Sequence, residues 1–359
     1  MESMLRAWDG EEVIIRYDRP SEAWIFIAIH STTLGPPVSG GTRLKSYPSP
    51  QDALQDALKL SAAMTYKLAV AGVPHGGGKV VIAAPPDLDP QARADLLRRY
   101  GTILQQLGGL FWTGPDVGTS PQDMDIIAET GAPYVFSRTP EAGGAGDSGP
   151  TTAVGVLSGL KVTCERLFGQ PSLAGRRVLV QGTGSVGSAL IDLLRQAGAE
   201  VLFSEIDPAA IHRFRDELGL PFVPPDEIFD APCDIFSPCA LGGILNPDTI
   251  PRLQCRAVAG AANNQLAHSD DAERLRQRQI LYAPDLVLNI GGLMGIIGME
   301  SMGWSRDEAC RRVNQSVDQT LRQVFDLAES AGINTHAAAS RIAEERLAAG
   351  KSAETITRH

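Results

Sequence analysis

No stretch of these 359 residues reaches roughly 18 uninterrupted apolar positions, so no segment is expected to span a membrane. Clustered basic charge is missing as well. The formal net charge is -10, and phosphate contact needs grouped Lys and Arg, so no nucleic-acid partner is expected. Cysteine is sparse: Cys164, Cys233, Cys239, Cys255 and Cys310 are odd in number and scattered. No C-x-x-C pair occurs, which leaves no basis for a disulfide framework or a metal site. Reduced thiols in a cytoplasmic protein are the expectation. The opening residues, MESMLRAWDGEE, lack the basic start and apolar run of a secretory signal.

What is present reads as a soluble α/β enzyme. The length is too great for one comfortable core, so two domains are expected. Segments 12–17 (EVIIRY) and 23–29 (AWIFIAI) have the β-branched and aromatic content of strands, as a hairpin. A Gly/Pro-rich loop is expected over 34–42. Helical spacing covers 50–66, with Ser49 as cap and Lys67 at its end, and again 90–107. Between them a glycine-rich turn, PHGGGK, leads into a short apolar strand. The stretch 138–150, with EAGGAGDSGP, is the best hinge candidate. A helix follows to about Phe168.

The pattern then changes to strand–helix alternation. Strands are expected at 176–181 (RRVLVQ), 200–207 (EVLFSEID), and within CDIFSP, AVAGAAN and LYAPDLVLNIGG, with a helix over 187–197. Such alternation implies a parallel sheet. From Ser305 onward the chain reads as helical.

The strongest local signal is Gly182-x-Gly184-x-x-Gly187, directly after a strand and opening a helix. Gly182 permits the tight turn, Gly184 lets backbone approach a pyrophosphate, and Gly187 lets helix and strand pack closely. Glu205 closes the next strand, where a carboxylate can accept from the ribose hydroxyls of NAD and repel the extra phosphate of NADP. Asp207 can share that task. A glycine turn of the same shape without a dinucleotide is the plainer alternative.

Two lysines stand out in the first half. Lys79 closes Gly76-Gly77-Gly78, where backbone would form the wall of a site. A lysine loses its proton near neutral pH when buried or set beside a second cation, and can then act as a base. Asp116, between Pro115 and Gly118, follows a strand and could move protons. Taken singly, a solvated helix-end Lys67, a turn-capping Lys79 and a turn-capping Asp116 are the simpler readings. The GGGK run is no phosphate loop, because Val80 holds the hydroxyl position.

In order along the chain, GGTRLKSYPS, MTYKLAVAGVPHGGGK, TGPDVGT, GGAGDS, PCALGGILN, AGAANNQLAH and YAPDLVLNIGG resemble the leucine/phenylalanine/valine branch of the amino-acid dehydrogenases related to glutamate dehydrogenase. The resemblance covers nearly the whole chain. It implies an α/β protein of two domains with an active-site cleft between them: a substrate and oligomerisation domain at 1–140, joined by C-terminal helices at about 330–359, and a Rossmann-like NAD domain at 141–330. It implies catalytic Lys79 and Asp116, and Lys67 on the substrate carboxylate. Gly40, Gly41, Gly114, Asn289, Leu293 and Ile296 would lie beside the substrate. NAD would meet Arg43, Ser148, Thr152, Gly182, Thr183, Gly184, Ser185, Val186, Gly187, Glu205, Ile206, Ala240, Leu241, Ala261, Asn263 and Asn289. Partners would be an amino acid, its 2-oxo acid and ammonia, with a homo-oligomer as the assembly.

Glutamate is disfavoured, because Leu58 stands where glutamate-specific relatives carry a second lysine, and Lys59 points about 100° away on a helix. Gly114 matches phenylalanine- and tryptophan-active relatives. GVPHGGGK and AANNQLAH look closer to valine enzymes, while Leu293 and Ile296 would shrink the pocket and Gly295 replaces a polar residue. One methylene of pocket is worth about 1–3 kcal/mol, so the reading leans only slightly to phenylalanine, with leucine, valine or tryptophan as alternatives. Two more distant readings are a 2-hydroxy-acid dehydrogenase using His75 and a non-catalytic NAD-responsive binding protein.

Overall fold

A computed structural model describes the backbone of residues 2–357 and the side chains of residues 2–350. The chain divides into two compact units, Met1–Asp147 with Ala343–His359, and Ser148–Ile342. The first division falls inside the Gly-rich 138–150 stretch. The second falls inside the last helix, so residues 331–342 belong to the second unit rather than the first. Positions 358–359 of the expected C-terminal helices lie outside the described residues.

In the first unit a short helix α1 (Glu2–Ala7) precedes the hairpin β1 (Glu12–Asp18) and β2 (Ala23–Ser31). With β3 (Val38–Lys45), β4 (Gly76–Ala83) and β5 (Phe111–Pro115) these form one sheet of order β1-β2-β4-β3-β5. β2 runs antiparallel to β1 and β4, whereas β3 lies parallel to β4 and β5. Helix α2 (Pro50–Ala71) covers one face, where Ala53, Leu54, Ala57 and Leu58 pack on Phe26, Ala28 and Val81. On the other face α3 (Pro90–Gln106) and α4 (Pro121–Gly131) bury Leu96, Leu97, Tyr100 and Ile127 against Ile25, Ile27, Val80 and Ile82. Each such side chain contributes about 1.5–3 kcal/mol on burial.

Helix α2 begins where sequence placed it. Ser49 accepts from the Asp52 N–H, and Pro50 occupies the first turn, where a missing N–H costs nothing. It outlasts the expectation by running past Lys67 to Ala71, and stops at Gly72 in the left-handed region (φ 66°). Arg346, from the C-terminal helix, donates to the Ala69 and Val70 carbonyls at that end.

Two expectations need correction. The 34–42 loop is a strand from Val38 onward, and the Gly76–Gly78 turn is part of β4. Glycine reads as turn punctuation, but here it is required by closeness. A Cβ on Gly40 would lie 2.0 Å from the Gly78 carbonyl oxygen, and one on Gly77 would lie 2.2 Å from Thr65 Oγ1 of α2. The glycine run lets helix and strands approach each other.

The second unit holds β6 (Arg177–Gln181), β7 (Glu200–Ser204), β8 (Ile235–Pro238), β9 (Ala257–Val258) and β10 (Leu281–Tyr282). All pair in parallel, in the order β10-β9-β8-β6-β7. Its helices are α5 (Gly149–Phe168), α6 (Ser185–Gln196), α7 (Pro208–Ile211), α8 (Asp271–Gln277), α9 (Asp285–Leu288), α10 (Ile290–Ser301), α11 (Arg306–Ala331) and α12 (Thr335–Thr357), the last shared with the first unit. A core of Leu179, Phe236, Val258, Ile250 and Leu275 fills one side of the sheet. The LYAPDLVLNIGG run contains only a two-residue strand. From Asp285 it is helical, because a continuous apolar run suits a buried helix as well as a buried strand. Among the described residues, no helix is long and apolar enough to cross a membrane.

Candidate active site

In the first unit, chemistry gathers on the sheet face beneath α2. Lys79 lies on the central strand β4, opposite Ala28 of β2, and is only 5% exposed. Its Nζ lies 3.1 Å from Asp116 Oδ2, and Arg43 Nε of β3 donates to the same oxygen at 2.8 Å. Burial lowers the Lys79 pKa, Asp116 opposes that, and the Arg43 charge adds to it; the net direction is downward. Burial would raise the Asp116 carboxyl, but the Lys79 and Arg43 charges outweigh it and hold it below the usual aspartate range.

The turn carrying Asp116 is pinned. Thr119 Oγ1 accepts from the Asp116 N–H at 2.9 Å and donates to the Thr42 carbonyl at 2.8 Å. Gly118 adopts φ 80°, and a Cβ there would sit 1.8 Å from the Leu44 carbonyl oxygen, so only glycine closes this turn. Gly41 has a different task from Gly40. Its missing Cβ would lie 3.0 Å from Asp116 Cβ and 3.3 Å from Lys79 Nζ. A Cβ on Gly114 would make one ordinary contact, with Phe136 Cβ at 3.8 Å. Lys67 is half-buried on α2. Leu58 is buried in the α2 core and Lys59 is exposed.

His75 is buried, with Nδ1 2.7 Å from Ser39 Oγ, and burial lowers its pKa. A hydroxyl partner does not make the histidine–carboxylate pair that a 2-hydroxy-acid dehydrogenase needs.

In the second unit the strand order reverses at β6, the switch point where α/β sheets open a crevice. The glycine turn follows β6 directly. Each glycine meets a different constraint. Gly182 has φ 87°, and a Cβ there would crowd Ala240 at 2.7 Å. A Cβ on Gly187 would collide with the Gly182 carbonyl oxygen at 2.0 Å. Gly184 faces open space, nothing lying within 4 Å of its missing Cβ, and it caps α6 with no side-chain acceptor for the first N–H groups. A turn built this way fits an anionic pyrophosphate. Ser185 and Val186 occupy the first turn of α6.

Glu205 is fully engaged within the turn. Oε2 accepts from the Thr183 N–H and Oγ1 at 2.7 and 2.9 Å, and Oε1 from the Ile206 and Asp207 N–H groups. Burial would raise its pKa, and these hydrogen bonds hold it below the usual range. Beside it Ile206 is 80% exposed, and Leu241, after β8, is 67% exposed. Two large apolar side chains left in water past the carboxyl ends of β7 and β8, the strands on either side of β6, suit the flat face of an adenine.

Asn289 donates from Nδ2 to Asn263 Oδ1 at 2.8 Å and to the Ala261 carbonyl at 3.2 Å, while its own Oδ1 is buried without a protein partner. A buried acceptor left unpaired points to a ligand donor. Ser148 lies at the start of α5, and its carbonyl accepts from the Thr152 N–H and hydroxyl. Ile296 is buried and Leu293 half-buried on α10. Gly295 is a contact rather than a pocket wall, since a Cβ would press on Thr151 Cβ at 2.9 Å.

Arg43, which the resemblance set beside the dinucleotide, extends to two carboxylates of its own unit, Asp116 and Asp56. Sequence reasoning missed Asp56, Tyr47 and Thr119, and also Asp285, which accepts from the Asn264 N–H and the Tyr282 hydroxyl behind the Asn263 loop. The signal for Asp285 was an acid inside the apolar YAPDLVL run, which needs a buried partner.

A buried lysine–carboxylate pair in one unit and a parallel-sheet glycine turn in the other accord with the class that the chain's relatives show it to be, an amino-acid dehydrogenase, an oxidoreductase acting on CH–NH2 groups. The chain belongs to the Glu/Leu/Phe/Val dehydrogenase family: residues 21–132 match its dimerisation domain, and residues 205–354 match the glutamate/leucine/phenylalanine/valine dehydrogenase domain. It is 42% identical to the leucine dehydrogenase of Thermoactinomyces intermedius over 343 residues, 96% of this chain and 92% of the relative. It is also 42% identical to the valine dehydrogenase of Streptomyces virginiae, over 94% of this chain and 93% of that one. The crystal structure of L-tryptophan dehydrogenase from Nostoc punctiforme superposes with a TM-score of 0.82 at 38% identity, covering 98% of this chain and 100% of that chain. These relatives do not support the lean towards phenylalanine; leucine, valine and tryptophan fit better.

Proposed function

We propose that the protein catalyses the NAD-dependent, reversible oxidative deamination of a branched-chain L-amino acid, leucine or valine, to its 2-oxo acid and ammonia. The observation that carries the chemistry is the buried Lys79 ammonium within 3.1 Å of the Asp116 carboxylate. The likeness to leucine and valine dehydrogenases carries the substrate class.

Each residue then has a task. Lys67 pairs with the substrate carboxylate and fixes the α-carbon. NAD, with its pyrophosphate at the Gly182–Gly187 turn, would supply the hydride acceptor for the α-hydrogen. Neutral Lys79 takes a proton from the water that attacks the substrate imine, and in its charged form stabilises the developing oxygen charge. Asp116 carries a proton to the departing amine. Gly184 and the N-terminus of α6 would hold the pyrophosphate, Glu205, on releasing its longest hydrogen bond, that from the Asp207 N–H, the adenosine ribose, and the unpaired Asn289 Oδ1 an amino or amide donor. Residues 21–132 match a dimerisation domain, which supports assembly as a homo-oligomer through the first unit.

Gly114 favours a second reading. A Cβ there would meet only Phe136 Cβ, at 3.8 Å, and this small residue, with the likeness to L-tryptophan dehydrogenase, supports tryptophan as the alternative substrate. The deciding measurement is NADH oxidation with ammonia against 4-methyl-2-oxopentanoate, 3-methyl-2-oxobutanoate, indolepyruvate, phenylpyruvate and 2-oxoglutarate. The branched-chain reading requires the highest kcat/KM on one of the first two; indolepyruvate in front transfers the assignment to tryptophan, and turnover without ammonia refutes amine chemistry.

The glycine turn gives a paired prediction. Gly184→Ala should leave the melting temperature nearly unchanged but weaken NADH binding, because the added methyl enters only the open space. Gly187→Ala should instead destabilise the fold, by about 1–3 kcal/mol, since its Cβ meets backbone. Equal melting temperatures for the two variants would refute the division of labour.

A further inference from the structure

Behind the Lys79–Asp116 pair lies a second carboxylate that the proposed chemistry does not use. Arg43 donates from Nη1 to Asp56 Oδ2 at 3.0 Å while its Nε holds Asp116 at 2.8 Å. Tyr47 donates its hydroxyl to the same Asp56 oxygen at 2.6 Å, and Lys45 Nζ stands 4.4 Å from the centre of the Tyr47 ring. Burial and the Asp56 charge push the Tyr47 phenol well above its ordinary pKa, so it remains a donor throughout the working range. The side chains form a chain from α2 and the end of β3 to the catalytic face: Tyr47, Asp56, Arg43, Asp116, Lys79.

A guanidinium is a rigid planar fork that prefers to grip one carboxylate with two parallel N–H groups. Here it does not. Asp56 holds Nη1 on one edge of the guanidinium, Nε alone reaches Asp116 from the other, and Lys79 shares the same Asp116 oxygen. Asp56 therefore fixes the far edge of the guanidinium, and with it the direction in which the Nε–H meets Asp116 Oδ2; without that anchor the guanidinium is free to turn and draw Asp116 off Lys79.

We propose that Asp56, held by Tyr47, is a positioning residue: by anchoring Nη1 of Arg43 it fixes the guanidinium so that Arg43 Nε and Lys79 Nζ share one oxygen of Asp116. This rests on reading Lys79 and Asp116 as the reacting pair. The charged groups facing Lys79 are Asp116 from the end of β5, Arg43 from β3 and Asp56 from α2. Of these Asp56 favours the charged lysine, so its removal should ease deprotonation.

The test compares Asp56→Asn, Asp56→Glu and Tyr47→Phe with the wild type, using the best amino acid of the panel and NAD, over a range of pH. Asp56→Asn should lower kcat about ten- to a hundredfold, as small misplacements at a reacting centre do, with a much smaller change in KM. The ascending limb of its kcat/KM profile should move to lower pH. Tyr47→Phe removes one neutral hydrogen bond and should cost about two- to tenfold. Asp56→Glu should recover most of the loss. An Asp56→Asn enzyme with wild-type kcat and an unmoved limb overturns the proposal, as does a lowered melting temperature with kcat per folded enzyme unchanged. A wild-type chain that turns over no amino acid refutes the underlying assignment of the pair, and the proposal with it.

Discussion

Lys79→Ala should lose turnover by about two to four orders of magnitude, the usual contribution of a positioned acid–base group, while still binding NADH. That is about 3–5 kcal/mol of transition-state stabilisation at 1.36 kcal/mol per tenfold. The size follows from where the lysine sits. It is buried on a central strand, so no water-exposed group is at hand to replace it. Lys79→Arg separates two roles the amine could have. A guanidinium keeps the positive charge but does not give up its proton in a protein. If Lys79 served only as a charge beside Asp116, arginine would restore much of the rate; if it must accept a proton, arginine should be nearly as slow as alanine. The measurement is kcat for deamination beside a fluorescence titration with NADH. Activity within about tenfold of wild type in the alanine variant contradicts the role assigned here.

The second unit was the more legible of the two in the sequence, and the reason is physical. A glycine turn between strand and helix, with an acid ending the next strand, is local, and the structure places all of it within one β-α-β passage. The glycines of the first unit misled because their cause is not local. Gly40, Gly41, Gly77 and Gly78 sit inside strands, where a Cβ would strike atoms from elements up to dozens of residues away. Sequence shows the glycine but not the neighbour that forbids a side chain. Lys79 and Asp116 could be named singly, and the family resemblance gave them a reaction, yet Asp56 and Tyr47 gave no signal. An aspartate on an amphipathic helix reads as a solvated polar face, and only the fold turns it towards Arg43. The run at 281–292 failed for a different reason, since hydrophobicity without period cannot separate a buried helix from a strand.

Asp116→Asn should slow turnover as severely as the loss of a proton carrier does elsewhere, about a hundredfold or more, and should also move the pH profile. The charges around Lys79 set the direction of that shift. In the wild type the Asp116 carboxylate favours charged Lys79, opposing burial and Arg43, which favour the neutral amine. Deamination needs the neutral amine, so its rate rises with pH as Lys79 loses its proton. With asparagine at 116 the restraining charge is gone and the Arg43 charge is unbalanced, so Lys79 loses its proton at lower pH. The residual activity should therefore show its ascending limb shifted in the acid direction, further than in Asp56→Asn, because Asp116 is in direct contact and Asp56 is not. Lys79→Ala should have no such limb at all. Should the limb of Asp116→Asn instead stay at the wild-type pH, the group titrating in the profile is not Lys79, and the division of labour between amine and carboxylate must be reassigned even if both residues prove essential.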